Sequence, residues 1–189
     1  MRDTAIRGPT IEQVIAARRE HALVSRGWLV LLGRVAVLAL VVWLALTQCF
    51  LICQNSGQDM FPAMKDGDLC VIFRTQLMDL VGEKLSAGDI VAYRIEGERH
   101  FGRIAAIAGD TLQIDTRGSV TVNGVTEGGE ILYPTYPRED LLNIEYIQSG
   151  NVYVLGDYRT QTKDSRDYGS IPLAQIEGKV LSILRRRGL

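Results

Sequence analysis

The chain has 189 residues and a formal net charge of −1, with a sequence pI near 6.1, so its charge gives no reason to expect nucleic acid as a partner. Three cysteines, Cys49, Cys53 and Cys70, are too few and too poorly spaced for a disulfide framework or a zinc site, although a single Cys53–Cys70 bridge stays open. We therefore expect no cofactor and no metal, in a length that accommodates a membrane anchor and one compact region.

Residues 1–27 form a polar N-terminal segment in which arginines outnumber acidic residues. Thr10 offers a capping-box-like helix start, and the spacing of Ile11, Val14 and Ile15 predicts a short amphipathic helix. By the positive-inside rule, the arginine excess before the apolar run predicts that this segment stays in the cytosol.

Residues 28–53 are apolar enough to cross a bilayer as one helix, and residues 35–52 read VAVLALVVWLALTQCFLI. Trp28 suits the membrane interface, and Arg34 can extend its charge toward the headgroups. No A-x-A-like cleavage site follows, so an uncleaved anchor in the lipid bilayer is favoured over a signal peptide. Cys49 and Cys53 are four apart and are interpreted as apolar side chains on this helix. The prediction is a single-pass membrane protein with residues 54–189 outside the cytoplasm.

After Pro62, short apolar runs alternate with glycine and aspartate, which is typical of strands. The predicted strands are residues 69–73, 90–95, 101–107, 111–114, 120–122, 151–155 and 176–184, and residues 76–85 allow a short helix. The pair Asn123-Gly124 is a strong tight-turn signal. The fold class is therefore mainly β: an antiparallel sheet or partly open barrel behind one N-terminal transmembrane helix.

Four stretches follow one another in the order of the type I signal peptidase family. Residues 55–64 read NSGQDMFPAM and resemble the family's serine loop, S-G-x-S-M-x-P-T. Residues 88–93 (GDIVAY) resemble G-D-I-V-x-[FY], and residues 100–110 (HFGRIAAIAGD) resemble Y-V-K-R-V-I-G-L-P-G-D. Residues 156–169 (GDYRTQTKDSRDYG) resemble G-D-N-R-x-x-S-x-D-S-R-x-x-G. The resemblance implies a signal-peptidase-like β domain over residues 54–189.

The resemblance assigns a binding cleft and its scaffold to ten residues. They are Ser56, Gly57, Asp59, Met60, Pro62, Gly102, Arg103, Asp157, Asp164 and Arg166. It also implies two ion pairs, Arg103 with Asp157 and Asp164 with Arg166. The alternative for the second pair is a run of solvated charges.

Both positions that carry the chemistry in this family hold a different residue here. The family uses a Ser–Lys dyad, in which a desolvated, neutral lysine accepts the serine proton. The resemblance places Asp59 at the nucleophile position and Gly102 at the general-base position, so no catalytic residue is expected to be intact. Without a lysine to pair with Asp59, the cleft is expected to stay partly open. Asp59 is then expected to accept hydrogen bonds from backbone N–H groups or to raise its pKa.

Substitute catalytic groups are an alternative that the spacing does not favour. Nothing in the sequence brings Ser56 and Lys65 together, and Lys163 and Ser165 flank a single residue in the last motif. The histidines, His21 and His100, flank the membrane run, which argues against a Ser–His triad or a histidine-ligated metal.

The resemblance is closest to catalytically degenerate signal-peptidase-like proteins of Gram-positive pilus gene clusters, which are thought to assist pilin assembly by a sortase. It implies a membrane protein of the secretion machinery that binds an extended peptide or pilin-like protein, with a sortase as a further partner. One alternative is an active type I signal peptidase that cleaves signal peptides from exported preproteins. A second alternative is a purely structural membrane component.

Overall fold

The computed structural model describes residues 11–128, 133–138 and 144–185, and the chain divides into two units, residues 1–47 and residues 48–189. The described part of the first unit is helix α1 (Ile11–Cys49). Its Gly27–Cys49 stretch of 23 residues has a mean hydropathy of 2.6, and it is one helix long and apolar enough to cross a membrane. The segment predicted to form a short amphipathic helix is helical and continuous with the apolar stretch, and its amphipathic character stays a prediction. Thr10 lies outside the described residues, as do the side chains of Gln13, Val14 and residues 16–26.

Helix α1 ends at Cys49, before the boundary at residue 53 that hydropathy predicts. The chain continues as strand β1 (Phe50–Gln54), which pairs antiparallel with strand β2 (Leu69–Arg74). The placement of Cys53 on the helix is therefore wrong, because its backbone belongs to a sheet ladder and its side chain packs against a buried cluster. Cys53 lies opposite Cys70 in the strand register, and both are free thiols. The division into segments at residues 27 and 53 stays a prediction.

The second unit is built mainly from short antiparallel strands. After β2 come α2 (Thr75–Val81), β3 (Ile90–Ile95), β4 (Glu98–Ile107), β5 (Thr111–Ile114), β6 (Val120–Val122), β7 (Val125–Thr126), β8 (Ile144–Tyr146), β9 (Asn151–Leu155), α3 (Ser165–Tyr168), β10 (Ile171–Pro172) and β11 (Ile176–Leu184). Each strand that the sequence predicts is present, and the helix expected at residues 76–85 is α2. The mainly β prediction is confirmed.

The strands form two sheets. The larger has seven strands in the order β1-β2-β11-β3-β4-β9-β10, and the smaller has four in the order β7-β6-β5-β8. The larger sheet is open: among the described residues no pairing joins β1 to β10, so it is not closed into a barrel. The Asn123-Gly124 turn connects β6 to β7, and both residues have positive φ, as a tight turn of this kind requires.

Successive side chains of the central strands point to opposite faces of the larger sheet, and each face has its own buried apolar cluster. On β3, Val91 and Tyr93 join one buried cluster, while Ala92 between them joins another. The second cluster also contains Met60 and Met64, from the loop between β1 and β2. This loop is therefore held to the sheet by apolar side chains on both sides of its tip.

Candidate functional site

The loop between β1 and β2 is organised by its own polar side chains. Asn55 is 3% exposed, and its amide Nδ2 donates to the carbonyl oxygens of Gly57 (3.2 Å) and Lys65 (3.0 Å). The backbone N–H of Gly57 donates to Asp66 Oδ1 at 2.9 Å, and that of Lys65 donates to Asp68 Oδ2 at 2.9 Å. These bonds span the loop from end to end, so the residues at its tip have a defined position.

The predicted residues of this loop take different places in it. Ser56 is exposed, and Gly57 has φ +107°, a backbone conformation that favours glycine. Met60 is fully buried, whereas Pro62 is exposed and follows Phe61 through a cis peptide bond. Asp59 lies between the exposed and the buried halves of the loop and is half-buried.

A second segment, residues 156–166, holds the backbone of Asp59. The Tyr158 N–H donates to the Asp59 carbonyl oxygen at 3.0 Å. The Thr162 hydroxyl donates to the Tyr158 carbonyl oxygen at 2.7 Å and lies 3.2 Å from the Asp59 carbonyl oxygen. The ring of Tyr158 also packs near Phe61, with centroids 6.1 Å apart. The sequence did not single out Tyr158 or Thr162, although both stand inside the last family-like stretch. These contacts bring the first and last motifs together around Asp59.

The segment is fixed in turn by a buried ion pair. Arg166 and Asp164 are 2% and 0% exposed, and two guanidinium nitrogens of Arg166 each donate to one oxygen of Asp164 at 2.8 Å. Arg166 Nη2 also donates to the Arg159 carbonyl oxygen at 2.6 Å, and Asp164 Oδ2 accepts from the Gly156 N–H at 3.1 Å. The family-implied pair is therefore present, and the alternative of solvated charges is wrong.

The other implied pair lies on the neighbouring strands. Arg103 donates to both oxygens of Asp157, at 2.9 Å and 2.7 Å, and its Nη1 donates to the Gly88 carbonyl oxygen at 2.9 Å. It connects β4, the segment after β9 and the turn before β3. The sequence missed a third pair, in which Arg159, 2% exposed, donates to both carboxylate oxygens of Glu127 at 2.9 Å and 3.1 Å.

The carboxylate of Asp59 lies in a poorly solvated place. Burial raises its pKa above the ordinary range, with Asp164 contributing in the same direction and His100 opposing it. None of the hydrogen bonds among the described residues ends on this carboxylate. Of the two expected outcomes for Asp59, the raised pKa is therefore found, and capture by backbone N–H groups is not.

The space beside Gly102 is filled. A Cβ atom added to Gly102 would lie 2.3 Å from Val154 Cγ1, 3.3 Å from Tyr93 Cε1 and 3.4 Å from the Leu155 carbonyl oxygen. Position 102 itself therefore offers no free space, because neighbouring apolar atoms occupy the place of a longer side chain. The expectation of a partly open cleft stays a prediction. A lysine would fit here only if Val154 moved.

Tyr93 and His100 lie on the same sheet face as Gly102, because Tyr93 pairs with His100 and Val91 pairs with Gly102 in the β3–β4 register. The rings of Tyr93 and His100 are 5.7 Å apart, and Tyr168 lies 6.4 Å from His100. Burial, followed by the charges of Asp164 and Asp59, raises the pKa of Tyr93, so its hydroxyl keeps its proton. The sequence had assigned no role to these rings.

Neither alternative dyad is assembled as a catalytic pair. Ser165 is buried, and its Oγ accepts from the Val154 N–H at 2.9 Å, whereas Lys163 is exposed. Ser56 and Lys65 are both exposed, so the burial that a neutral lysine base needs is missing.

Two cavities of the described residues differ in their relation to this site. A groove of about 1000 Å³ is lined by Phe61, Pro62, Arg103 and Asp157, among others, and so lies against the Asp59 loop. A larger cavity of about 1360 Å³ lies around α2, and none of the ten predicted cleft residues lines it. The groove beside the loop is therefore the one relevant to this site.

Comparison with known proteins identifies related chains. A family model described as signal peptidase, peptidase S26, matches residues 25–184. Signal peptidase IB of Staphylococcus aureus (strain COL) is 28% identical over 144 residues, which cover 66% of this chain and 72% of that protein. Mitochondrial inner membrane protease subunit 1 of Schizosaccharomyces pombe is 26% identical over 136 residues, covering 70% of this chain and 72% of that protein. A crystallised signal peptidase I from Enterococcus faecalis shares 25% identity, with a TM-score of 0.43 over 53% of this chain and 98% of its own.

The buried ion pair generates a stability prediction. Asp164→Asn leaves the Arg166 guanidinium buried without a counter-charge, so we expect the free energy of unfolding to fall by about 3–5 kcal/mol. The matched control is Lys179→Gln, which removes a more exposed pair with Asp89 and should cost below about 1 kcal/mol. Urea unfolding of the full chain in detergent, followed by tyrosine circular dichroism, measures both. A loss below about 1 kcal/mol for Asp164→Asn would show that the pair does not organise the segment.

The raised pKa of Asp59 generates a pH prediction. The folded state keeps the proton over a pH window in which the unfolded chain has released it. The stability from this difference is complete below the ordinary carboxyl pKa and is lost as the pH rises through the folded pKa. Asp59→Asn never ionises, so it should be more stable than the wild type at pH 7, and the difference should vanish below a pH of about 3.9.

Unfolding curves at a series of pH values check this expectation. Glu83→Gln, which neutralises an exposed acid after α2, is the control and should leave the pH dependence nearly unchanged. Equal stability of Asp59→Asn and wild type at every pH would contradict the desolvation of Asp59.

Proposed function

Because the chain belongs to the peptidase S26 family of signal peptidases, we propose that it is a membrane-anchored, non-catalytic member that binds an extended polypeptide beside the Asp59 loop. The observation that carries the proposal is the pairing of a half-buried carboxylate at the family's nucleophile position with a filled space at its lysine position. The scaffold around these positions is kept, since both implied ion pairs are formed. A folded frame without the dyad fits recognition of a polypeptide better than its cleavage.

The chemistry of the two positions supports the loss of peptidase activity. A carboxylate has no proton to transfer to a base and is a weak nucleophile toward an amide. Glycine at the other position supplies neither a base nor a charge, and Val154 Cγ1 would lie 2.3 Å from any Cβ placed there. The alternative of an active signal peptidase draws support from relatives such as Staphylococcus aureus signal peptidase IB, and cleavage assays decide between the two.

Strand β1 supports the binding of an extended polypeptide. It is an edge strand, because it pairs with β2 and with no other described strand, and its Ile52 side chain is 67% exposed. An edge strand presents free backbone donors and acceptors that a peptide can pair with as an added strand. A peptide beside β1 would continue past Gln54 toward the loop that carries Asp59. Recognition of this kind needs backbone and pockets but no nucleophile.

The apolar helix and the family place the protein at a membrane, and we propose its orientation and partners. The arginine-rich N-terminal segment would stay in the cytosol, and the β domain would face the outside of the cell. The polypeptide partner would be a pilin-like protein, with a sortase acting on the same partner. This assignment rests on the resemblance to degenerate family members of Gram-positive pilus gene clusters. A purely structural membrane component with no ligand is the remaining alternative.

Restoring the dyad tests whether the frame still positions catalytic groups. We expect Asp59→Ser with Gly102→Lys to gain measurable cleavage of a preprotein, and Val154→Ala added to both to increase it, because it clears room for the lysine. The matched control is Asp59→Ser with Val154→Ala, which has a nucleophile but no base. Product is quantified by mass spectrometry under multiple-turnover conditions. Cleavage by the control equal to that of the triple variant would contradict the assignment of position 102 to the base.

Association in cells tests the partner. The tagged full chain, recovered in detergent from its native host, should bring down a pilin-like protein or a sortase. Asp59→Ala should reduce that recovery severalfold if the partner occupies the cleft, whereas the control Glu83→Gln should not. Recovery of neither protein, or equal recovery with Asp59→Ala, would argue against this partner at this site.

A further inference from the structure

Two cysteines face each other at the edge of the larger sheet. Cys53 on β1 is the direct partner of Cys70 on β2, in an antiparallel register that runs over all five residues of β1. Directly opposite side chains point to the same face of a sheet. Here both belong to one apolar cluster, in which Cys70 is a buried member and Cys53 packs against it. The backbone ladder itself therefore holds the two thiols beside each other.

The spacing of directly opposite residues matches what a disulfide needs. In an antiparallel ladder their Cα atoms lie about 4.5 or 5.5 Å apart, depending on whether the pair is hydrogen-bonded. The Cα atoms of a disulfide lie about 4.4–6.8 Å apart, a range that includes both values. A bond between the two Sγ atoms therefore needs rotation of the side chains and at most a small approach of the strands.

The three cysteines differ in pairing and in access. Cys49 is the last residue of α1, and no described strand residue pairs with it. Cys53 is half-buried on an edge strand, whereas Cys70 is fully buried. A disulfide carried by another protein would therefore reach Cys53 first. Cys70, on the facing strand, is placed to attack the mixed disulfide that results.

The buried surroundings favour a bridge that persists once it is made. Burial raises the pKa of both thiols, that of Cys70 to about 12. A thiol of high pKa is a poor leaving group, so a disulfide between these two residues is difficult to reduce. Catalytic redox pairs, in contrast, contain a thiolate that is stabilised by its surroundings. The pair is therefore suited to a structural cross-link.

We propose that Cys53 and Cys70 form a disulfide outside the cytoplasm, and that this bond closes residues 54–69, which include the Asp59 loop, into a ring. Disulfides form and persist in oxidising compartments. The inference rests on the proposed placement of the β domain outside the cell and does not depend on peptide binding. It adds a covalent closure at the base of a loop whose tip is organised by hydrogen bonds.

The oxidant is an exported thiol–disulfide oxidoreductase in its disulfide form. Cys53 loses its proton, and its sulfur attacks one sulfur of that disulfide while the other leaves as a thiolate. Cys70 then loses its proton and attacks the Cys53 sulfur, which displaces the oxidoreductase from the mixed disulfide. The two thiols of this chain are oxidised by two electrons. The oxidoreductase disulfide is reduced to two thiols, which take up the two protons.

Mass spectrometry of the full chain from its native host tests the bond. Cells are quenched in acid, free thiols are alkylated with iodoacetamide, and the chain is purified in detergent and digested without reductant. Chymotrypsin cleaves after Phe50 and so separates Cys49 from Cys53. We expect the peptides that carry Cys53 and Cys70 to be joined and Cys49 to be alkylated. The matched control Cys49→Ser should keep the joined peptides.

Thermal unfolding of the same preparation tests the closure of the loop. We expect the midpoint for the β domain, followed by circular dichroism, to fall by about 5–10 °C when a phosphine reduces the bond. Cys53→Ala should show one midpoint with and without the phosphine, whereas Cys49→Ser should keep the shift. The comparison of wild type with and without the phosphine needs no variant, so misfolding of a variant does not affect it.

Four results would overturn the proposal. Alkylation of both Cys53 and Cys70 in the chain from cells would refute the bond, and linkage of Cys49 to either would refute the pair. An unchanged midpoint after reduction would show that the bond does not hold the loop. If oxidised glutathione closes the bond in the purified chain while the chain from cells carries both thiols, the proposed placement outside the cytoplasm fails, and this inference fails with it. Peptide binding would stand in each case.

Discussion

The buried ion pair between Arg166 and Asp164 is the interaction on which the cleft depends. Both side chains are almost completely excluded from solvent, so each charge is tolerable only because the other is in place. Through the Arg159 carbonyl and the Gly156 N–H, the pair sets the path of residues 156–166. That segment in turn holds the Asp59 backbone through Tyr158 and Thr162. The position of Asp59 is therefore determined far from Asp59 itself.

The contacts that position the loop do not depend on the side chains at positions 59 and 102. The groups that position the loop are Asn55, the two buried methionines Met60 and Met64, and the ion pairs behind them. None of these contacts requires a serine or a lysine in the cleft. A chain with aspartate at position 59 and glycine at position 102 therefore keeps this frame.

Much of the fold was predictable because short local sequence patterns indicate strands and turns. The run at residues 176–184 predicts β11, and the apolar stretch before residue 50 predicts a helix long enough for a membrane. The end of that helix was not predictable. Residues 50–53 are apolar, and hydropathy does not distinguish the end of a membrane-spanning helix from a strand that packs on a core. The Asn123-Gly124 turn was predictable from its dipeptide, because it joins neighbouring strands, whereas the four-stranded sheet also depends on the pairing of β5 with the distant β8.

The candidate site was also predictable only in part. The order of the motifs located Asp59, Gly102 and both implied ion pairs. It could not predict the lack of space beside Gly102, because Val154 and Tyr93 fill that space from other strands.

The central claim is that the protein has no peptidase activity, and a single-turnover assay tests it most directly. Purified wild-type chain in molar excess over a preprotein is followed by intact-mass spectrometry over many hours. The account predicts uncleaved preprotein throughout, and stoichiometric appearance of the mature protein, cut after its signal peptide, would contradict it.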